Sequence, residues 1–340
     1  MGVSPRHYRH DHVGGSALLV LQTPPVALIM NAATKHPHFE ALLKKAQALP
    51  AIATAVVHPV DELSLNGALE AARGGYITPI LIAPHAKLAA AAAKLGRTLE
   101  GCSCIDVPHS HAAAEKAVAL VRAGKADAIM KGALHTDEVM DAAIDKEKGI
   151  RTERRMSHVF VLDVASYPKP LLIADAAINI YPDLMTKRDI VQNTIELAYA
   201  LGVSTPKVAI LSAVETVNPK ITSTVDAAAL CKMAERGQIK GGILDGPLAF
   251  DNAISAKAAH AKGIRSPVAG DADILIAPDM EAGNMIAKQL EYLAGAEAAG
   301  IVLGARVPIM LTSRADGALS RVVSAALAQL LVYHRLQAKK

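Results

Sequence analysis

Short aliphatic runs of strand length, most of them followed by a turn residue and then an amphipathic stretch, recur along this chain. They read VALIM at 26–30, PILIA at 79–83, DAIMKG at 127–132, HVFVLDV at 158–164 and PLLIAD at 170–175. KVAILSA at 207–213, GGILDG at 241–246, DILIAPD at 273–279 and GIVLG at 300–304 follow. A run that is apolar throughout, rather than at alternate positions, fits a strand buried on both faces, as in a parallel sheet covered by helices. The intervening stretches carry the helical period. Ile190, Val191, Thr194, Leu197, Ala198 and Leu201 fall on one face of a 3.6-residue repeat, and the Ala-rich stretch 86–94 reads as ordinary helix. Strand alternating with helix predicts an α/β fold with a mostly parallel sheet and helices on both sides. Hydrophobic residues make up 51% of the chain but aromatics only 3%, with no Trp, so Ala, Val, Ile and Leu must fill the core.

With 340 residues the chain exceeds the ~250–300 at which single cores stop growing, so two α/β domains are expected. The charged segment RTERRMSH, 151–158, is the expected junction. A formal charge of +4 without a long basic block does not suggest a nucleic-acid tail and suits a small anionic ligand. Cys102, Cys104 and Cys231 are too few, and odd in number, for a disulfide framework, which points to a reducing compartment. The polar opening MGVSPRHYRHDHVGG does not read as a signal peptide, and nothing approaches the ~20 apolar residues of a membrane span. A cytoplasmic protein is expected, with neither a membrane nor a nucleic-acid partner. His7, His10 and His12 invite a metal reading but have only Asp11 beside them; a frayed terminus accounts for them, and no metal is assigned.

Ligands of parallel α/β sheets bind at the carboxyl ends of the strands, so chemistry is expected in the loops that begin at Lys131, Asp175, Ser212, Asp245, Pro278 and Leu311. Neither G-x-G-x-x-G after a strand nor G-x-x-x-x-G-K-[ST] occurs, which weakens a dinucleotide-binding dehydrogenase and a P-loop kinase. H-E-x-x-H and G-x-S-x-G are absent too, against a zinc peptidase and an α/β-hydrolase. The strand ends instead carry KGALHT (131–136), ADAAINIYP (174–182), DGPLAFDNAIS (245–255), PDMEAGN (278–284) and VPIMLTSRAD (307–316). In order and wording these five segments resemble the phosphate acetyltransferase and phosphate butyryltransferase family, from about Pro59 to Leu330. HPVDELSLNGALEAARGGYITPILIAP, 58–84, resembles its butyryl-type branch.

The resemblance implies two three-layer α/β domains facing each other across an active-site cleft, the last helix returning to the first domain. The expected division is then 1–157 plus 305–340 for the first domain and 158–304 for the second. It also implies a homodimer that moves a short acyl group, acetyl first and butyryl close behind, between coenzyme A and inorganic phosphate, with no tightly bound cofactor. Ser313 and Arg314 match the Ser-Arg pair of the family's active cleft. Acetyl-type members carry a proposed catalytic aspartate seven residues after that serine, where this chain has Ser320. Asp316, in the Ser-Arg-Ala-Asp wording of butyryl-type members, inherits the role by inference. A family arginine that follows the His-Ser/Thr loop also lacks a match, since Met140 and Asp141 stand there. Its work would fall to Lys131 or to Arg151, Arg154 and Arg155. The further binding candidates are His135, Thr136, Asn179, Asp245, Gly246, Pro247, Asp251, Glu281, Gly283 and Asn284.

Several of these positions carry two physical readings. The Arg314 fork suits phosphate through two parallel hydrogen bonds, or an inter-domain salt bridge. Ser313 suits donation to the acyl carbonyl or phosphate, or a helix N-cap. Asp316 suits a base, or an acid favoured in a first helical turn. Asp245, Gly246 and Asp251 suit a turn where backbone donors meet anions, or helix capping. Glu281 has a helix-start reading, while Gly283 and Asn284 suit a ligand that approaches the backbone. His135 and Thr136 follow a strand and suit phosphate, or solvent.

Transfer from acyl phosphate to coenzyme A needs a thiolate to attack the carbonyl, a donor for the oxyanion and cations for the leaving phosphate. A thiol of pKa near ~8.5 is about 3% thiolate at pH 7, so a perfect base recovers only ~2 kcal/mol. Positioning supplies ~7–11 kcal/mol, so geometry should outweigh the base. Two rivals remain. A metal-dependent, NAD-linked decarboxylating dehydrogenase needs clustered aspartates, for which Asp271 and Asp273 are the only close pair near a strand. A non-catalytic protein that binds coenzyme A would bind it without phosphate-dependent turnover.

Overall fold

The computed structural model describes residues 36–312 and 316–338. The VALIM run, the histidines at 7, 10 and 12, and Ser313 and Arg314 lie outside the described residues. The chain runs α1 (Pro37–Gln47), β1 (Ile52–Val57), α2 (Glu62–Arg73), β2 (Ile77–Ile82), α3 (His85–Leu95), β3 (Ser103–Ile105), α4 (Ser110–Arg122), β4 (Ala128–Lys131) and α5 (Thr136–Ile144). It continues through β5 (Ser157–Asp163), β6 (Leu171–Ala174), α6 (Leu184–Leu201), β7 (Lys207–Leu211), α7 (Thr222–Glu235), β8 (Ile243–Leu248), α8 (Phe250–Ile254) and α9 (Ala256–Ala261). It ends with β9 (Ile274–Ile276), α10 (Met280–Leu293), β10 (Glu297–Leu303), β11 (Ile309–Met310) and α11 (Ala318–Ala338).

Every aliphatic run from PILIA onward is a strand. β1, IATAVV, is a strand that none of the runs above marks, although five of its six residues are apolar. All eleven strands join one sheet in the order β3-β2-β1-β4-β11-β10-β5-β6-β9-β7-β8. The set β3-β2-β1-β4-β11 is parallel, as is the set β6-β9-β7-β8. Between them stand three antiparallel pairings, β11 with β10, β10 with β5 and β5 with β6. β5 and β6, and β10 and β11, follow each other through links too short for a crossover helix, and a short link forces reversal. Three reversals leave the two parallel sets running in opposite directions.

Strand alternation sorts the core. Ala128 and Met130 of β4 face one side, where a single core extends under α1, α2, α3, α6, α7 and α11. Ile129, Ile309 and Leu311 face the other side under α4 and α5. Phe160, Leu162, Ile173 and Leu275 share that second side but pack under α8 and α10 as a separate cluster. The second face is therefore divided near the middle of the sheet, at β5, β10 and β11.

The helices begin and end where local chemistry dictates. Asp183 caps α6 by accepting from the Thr186 amide at 2.7 Å, and Gly202 closes it with φ +102°. The expected face of α6 is buried at Ile190, Val191, Thr194, Leu197 and Ala198, and half-buried at Leu201. α11 packs against α1, α2 and α6. The approach of α2 needs Gly67, where a Cβ would lie 2.3 Å from Cδ of Arg321.

Candidate active site

The carboxyl ends of β1, β3 and β4 bring three loops together. Gly132, after β4, donates to the Val57 carbonyl at 2.9 Å, and a Cβ there would lie 2.3 Å from that oxygen. Lys131 is buried on the divided face. His135 occupies the N-cap of α5, its amide donating to Glu138 Oε1 at 3.0 Å. The other Glu138 oxygen accepts from the Ser110 hydroxyl and lies 3.1 Å from His111 Nδ1. Burial would raise the Glu138 carboxyl, but Ser110, the His135 amide and His111 more than offset it and hold the group below the usual carboxylate range. His58, at the end of β1, is buried with φ +54°, and His109 caps α4 through Nδ1, which accepts from the Ala112 amide at 3.2 Å. Burial, then Lys87, holds His58 below the usual imidazole range. The loops thus gather four imidazoles near one carboxylate, a feature that residues spread from 58 to 138 do not announce. Thr136, first residue of α5, is half-buried beside them. A groove of about 730 Å³ between α4 and α5 meets this cluster only at His111 and Glu138.

Asp316, at the end of the loop after β11, is buried. Its carboxylate acts on Arg321 of α11 and on His158 of β5, favouring the charged form of each. Arg321 is also buried, and its Nη1 donates to Thr312 Oγ1 at 2.8 Å. Burial lowers its pKa, and Asp316 and then Asp61 oppose that effect. Ser320, which stands where acetyl-type members have aspartate, donates instead to Glu297 Oε1 at 2.6 Å. A carboxylate is therefore present at the end of this hydrogen bond, contributed by β10.

The loop after β6 lies against the same divided face. Asp175 is buried and accepts from the amides of Ala177 (2.9 Å), Ile178 (3.0 Å) and Asn179 (3.2 Å). Asn179 Nδ2 donates to Asp175 Oδ2 at 2.5 Å and to the Met156 carbonyl at 2.9 Å. Asn284 Nδ2 donates to the Ala176 carbonyl at 3.1 Å. At Gly283 the close approach is made by this chain itself, since a Cβ would lie 2.2 Å from the Asp175 carbonyl oxygen. Glu281 is exposed at the start of α10, 3.5 Å from the Tyr181 hydroxyl.

The structure does not bring every sequence candidate to Asp316. Asp245, Gly246 and Pro247 belong to the edge strand β8, with β10, β5, β6, β9 and β7 between it and β11. At ~4.8 Å per strand that is roughly 29 Å. Asp245 accepts from the Gly246 amide at 2.9 Å, and the exposed Asp251 pairs with Lys262 at 3.3 Å. Of the arginine cluster, Arg154 pairs with Glu196 of α6 at 3.3 Å. Asp271 and Asp273 are each met by the Lys169 ammonium, at 2.8 and 2.7 Å, which disfavours a divalent cation between them. Among the described residues no group of three or more His, Cys, Asp or Glu is arranged to hold a metal ion. None of the described helices is long and apolar enough to cross a membrane.

Sequence reasoning missed His58, Glu138, His158 and Arg321. His158 left a trace as a polar residue opening the run HVFVLDV, and His58 opened the quoted segment 58–84, but neither was singled out. All three cysteines are free thiols with pKa values raised by burial, Cys231 to about 12, so none is poised as a thiolate nucleophile.

Comparison with known proteins gives the family. A family model described as phosphate acetyl/butaryl transferase matches residues 108–329. A phosphate acetyltransferase from Rhizobium meliloti is 59% identical over 301 residues, which cover 88% of this chain and 95% of that protein. A phosphate butyryltransferase from Clostridium acetobutylicum is 42% identical over 287 residues, covering 84% of this chain and 95% of that protein. The crystal structure of a branched-chain phosphotransacylase from Enterococcus faecalis V583 matches with a TM-score of 0.72 at 29% identity, covering 83% of this chain and 99% of that one. The chain belongs to the phosphate acetyl/butyryl transferase family.

Proposed function

We propose that this protein moves an acyl group, acetyl in preference to butyryl, between coenzyme A and inorganic phosphate. The observation that carries the reading is Asp316, two positions after Arg314 in the sequence, buried and acting on His158 and on Arg321, itself bonded to Thr312. The acetyl preference rests on identity, 59% to a phosphate acetyltransferase against 42% to a phosphate butyryltransferase.

In the proposed reaction the coenzyme A thiolate attacks the carbonyl of acyl phosphate. The C–S bond forms, the C–O bond to phosphate breaks, and phosphate leaves with the electron pair of that bond. Arg314 holds the departing phosphate, Ser313 donates to the developing oxyanion, and Asp316 takes the thiol proton. Lys131 adds a cation at the adjacent strand end. The raised thiol pKa values support direct transfer over a cysteinyl intermediate.

The division into 1–157 plus 305–340 and 158–304 is supported on one face of the sheet by the two separate clusters there, while the other face carries one core across both parts. A homodimer is supported by large apolar side chains exposed on the second half, among them Ile180, Tyr181, Met285, Tyr292 and Leu293. A cytoplasmic location is supported by the three free thiols.

The test is acyl-phosphate formation from acetyl-, propionyl- and butyryl-coenzyme A with phosphate. Turnover without added metal and unaffected by EDTA is expected. Hydride transfer to NAD with a hydroxy acid, or coenzyme A binding without phosphate-dependent turnover, would replace this reading by one of its rivals.

A further inference from the structure

His158 is fully buried at the start of β5; neither ring nitrogen has a partner at full hydrogen-bond geometry, although the Leu311 backbone already acts on the ring as an acceptor. A neutral imidazole carries one N–H donor and one acceptor, and leaving buried polar atoms unpaired is unfavourable. Such atoms point to a partner that arrives with a ligand, a water or a moving segment.

The surroundings name that partner. On its own strand His158 meets Phe160 edge-on, ring centroids 4.5 Å apart. On β10, Gly300 leaves a gap: a Cβ there would lie 2.9 Å from His158 Nε2 and 2.3 Å from the Leu311 carbonyl oxygen. The two atoms therefore face one small space and are no more than about 5 Å apart. The charged groups that act on the ring are Asp175 after β6, Asp316 before α11 and Lys288 on α10. Leu311 directly follows β11 and Asp316 precedes α11, and both the Leu311 carbonyl and the Asp316 carboxylate act on the ring.

We propose that His158 is a positioning residue for acyl transfer: its Nε2–H is the donor that fixes the Leu311 carbonyl, and with it Asp316, in the reacting arrangement. The inference rests on the acyl-transfer reading. It is a positioning role because the ring is too deeply buried to touch substrate. Burial holds the imidazole below its usual range, against the pull of Asp175 and Asp316, so the neutral ring performs this role at pH 7. Protonation at acid pH keeps the Nε2–H donor but creates a buried cation that attracts the Asp175 and Asp316 carboxylates, a competing pull on Asp316.

The test compares wild-type protein with His158→Phe, which keeps a ring and loses the donor, and His158→Gln, which keeps an N–H donor. Wild-type turnover in the same assay tests the underlying reading separately. The Phe variant should lose at least tenfold in kcat, while its Kd for acetyl-coenzyme A, measured by calorimetry, changes less than threefold. The Gln variant should recover a substantial part of kcat and lose the acid limb of the wild-type pH profile, whose midpoint should lie below ~6.5. Wild-type kcat in the Phe variant overturns the proposal. So does a loss that Gln fails to relieve and that follows the fall in Tm. Should the Phe variant not fold, ¹⁵N imidazole spectra of wild-type protein decide. An Nε2–H resonance that shifts downfield and exchanges more slowly on adding acetyl-coenzyme A is expected, and spectra that do not change count against the role.

Discussion

Arg314 and Asp316 stand two residues apart but are asked for different chemistry, and the difference is measurable. Arg314 is to hold phosphate through a planar fork, which lysine cannot reproduce although it keeps the charge. Arg314→Lys should therefore lower kcat/KM more than tenfold, since ~1.4 kcal/mol is one decade. Wild-type kinetics in both directions would remove Arg314 from the site. Asp316, if it only removes the thiol proton, can contribute no more than the ~2 kcal/mol that separates 3% thiolate from full ionisation at pH 7. Asp316→Asn should then lose at most about 30-fold at pH 7, and the loss should shrink toward pH ~8.5. A larger loss that does not vary with pH would make the carboxylate a positioning group for Arg321 and His158. Near-normal activity in that variant, with a strong defect in Asp245→Asn or Asp251→Asn, would move the base to the other half of the sheet. Ser313, Arg314 and Asp316 stood out as residue types at short spacing, and the variants above test the roles assigned to them. Arg321, His58 and His158 were not legible, because each reaches its partners only after strands and helices from distant segments have packed.

At the scale of elements, α10 is held against the loop after β6 by the absence of one side chain. A Cβ at Gly283 would lie 2.2 Å from the Asp175 carbonyl oxygen, and that atom is backbone, so it cannot swing away. Gly283→Ala should therefore lower stability by about 1–3 kcal/mol, read as a fall in the denaturant midpoint without a change in slope. It should also disturb the turn in which Asp175 accepts three amides. An unchanged midpoint would mean that α10 shifts freely on its strand. The glycine itself stood out in PDMEAGN. What it makes room for did not, since a close approach to ligand and one to backbone leave the same residue type in the sequence.

For the whole molecule, Glu196 links segments far apart in the chain. Its carboxylate on α6 meets Arg335 of α11 at 2.8 Å and Arg154 before β5 at 3.3 Å. Burial would raise its pKa, but the bond to Arg335 and the charges of Arg335 and Arg154 more than offset it, and the net direction is down. A carboxyl whose folded pKa lies below its unfolded value stabilises the protein above the unfolded pKa and loses that contribution as pH falls through the folded one. Tm should hold from pH 7 to about 5 and fall below about pH 4.5, where this group and the other depressed carboxyls, Glu138, Asp183 and Asp271, take up protons. Glu196→Gln should lower Tm at pH 7 and flatten the acid slope. An acid slope identical to wild type would show that Glu196 contributes nothing to pH-dependent stability.

The sequence by itself determined the class of this protein. Aliphatic runs between 3.6-period stretches are a local consequence of burying strands under helices, so β2 and β4 to β10 could be read one at a time. The strand-end segments were equally local, and their wording was enough to place the family. Only the tertiary structure decided which strands reverse and which polar groups meet. The antiparallel joints β5–β6 and β10–β11 follow from links too short for a crossover, and the third, β10 with β5, joins strands far apart in the chain that only the assembled sheet brings together. The direction of the second parallel set, the divided face and the burial of His158 beside Asp175 and Asp316 all follow from those joints, because hydrogen bonding between strands couples residues that the sequence keeps more than a hundred positions apart.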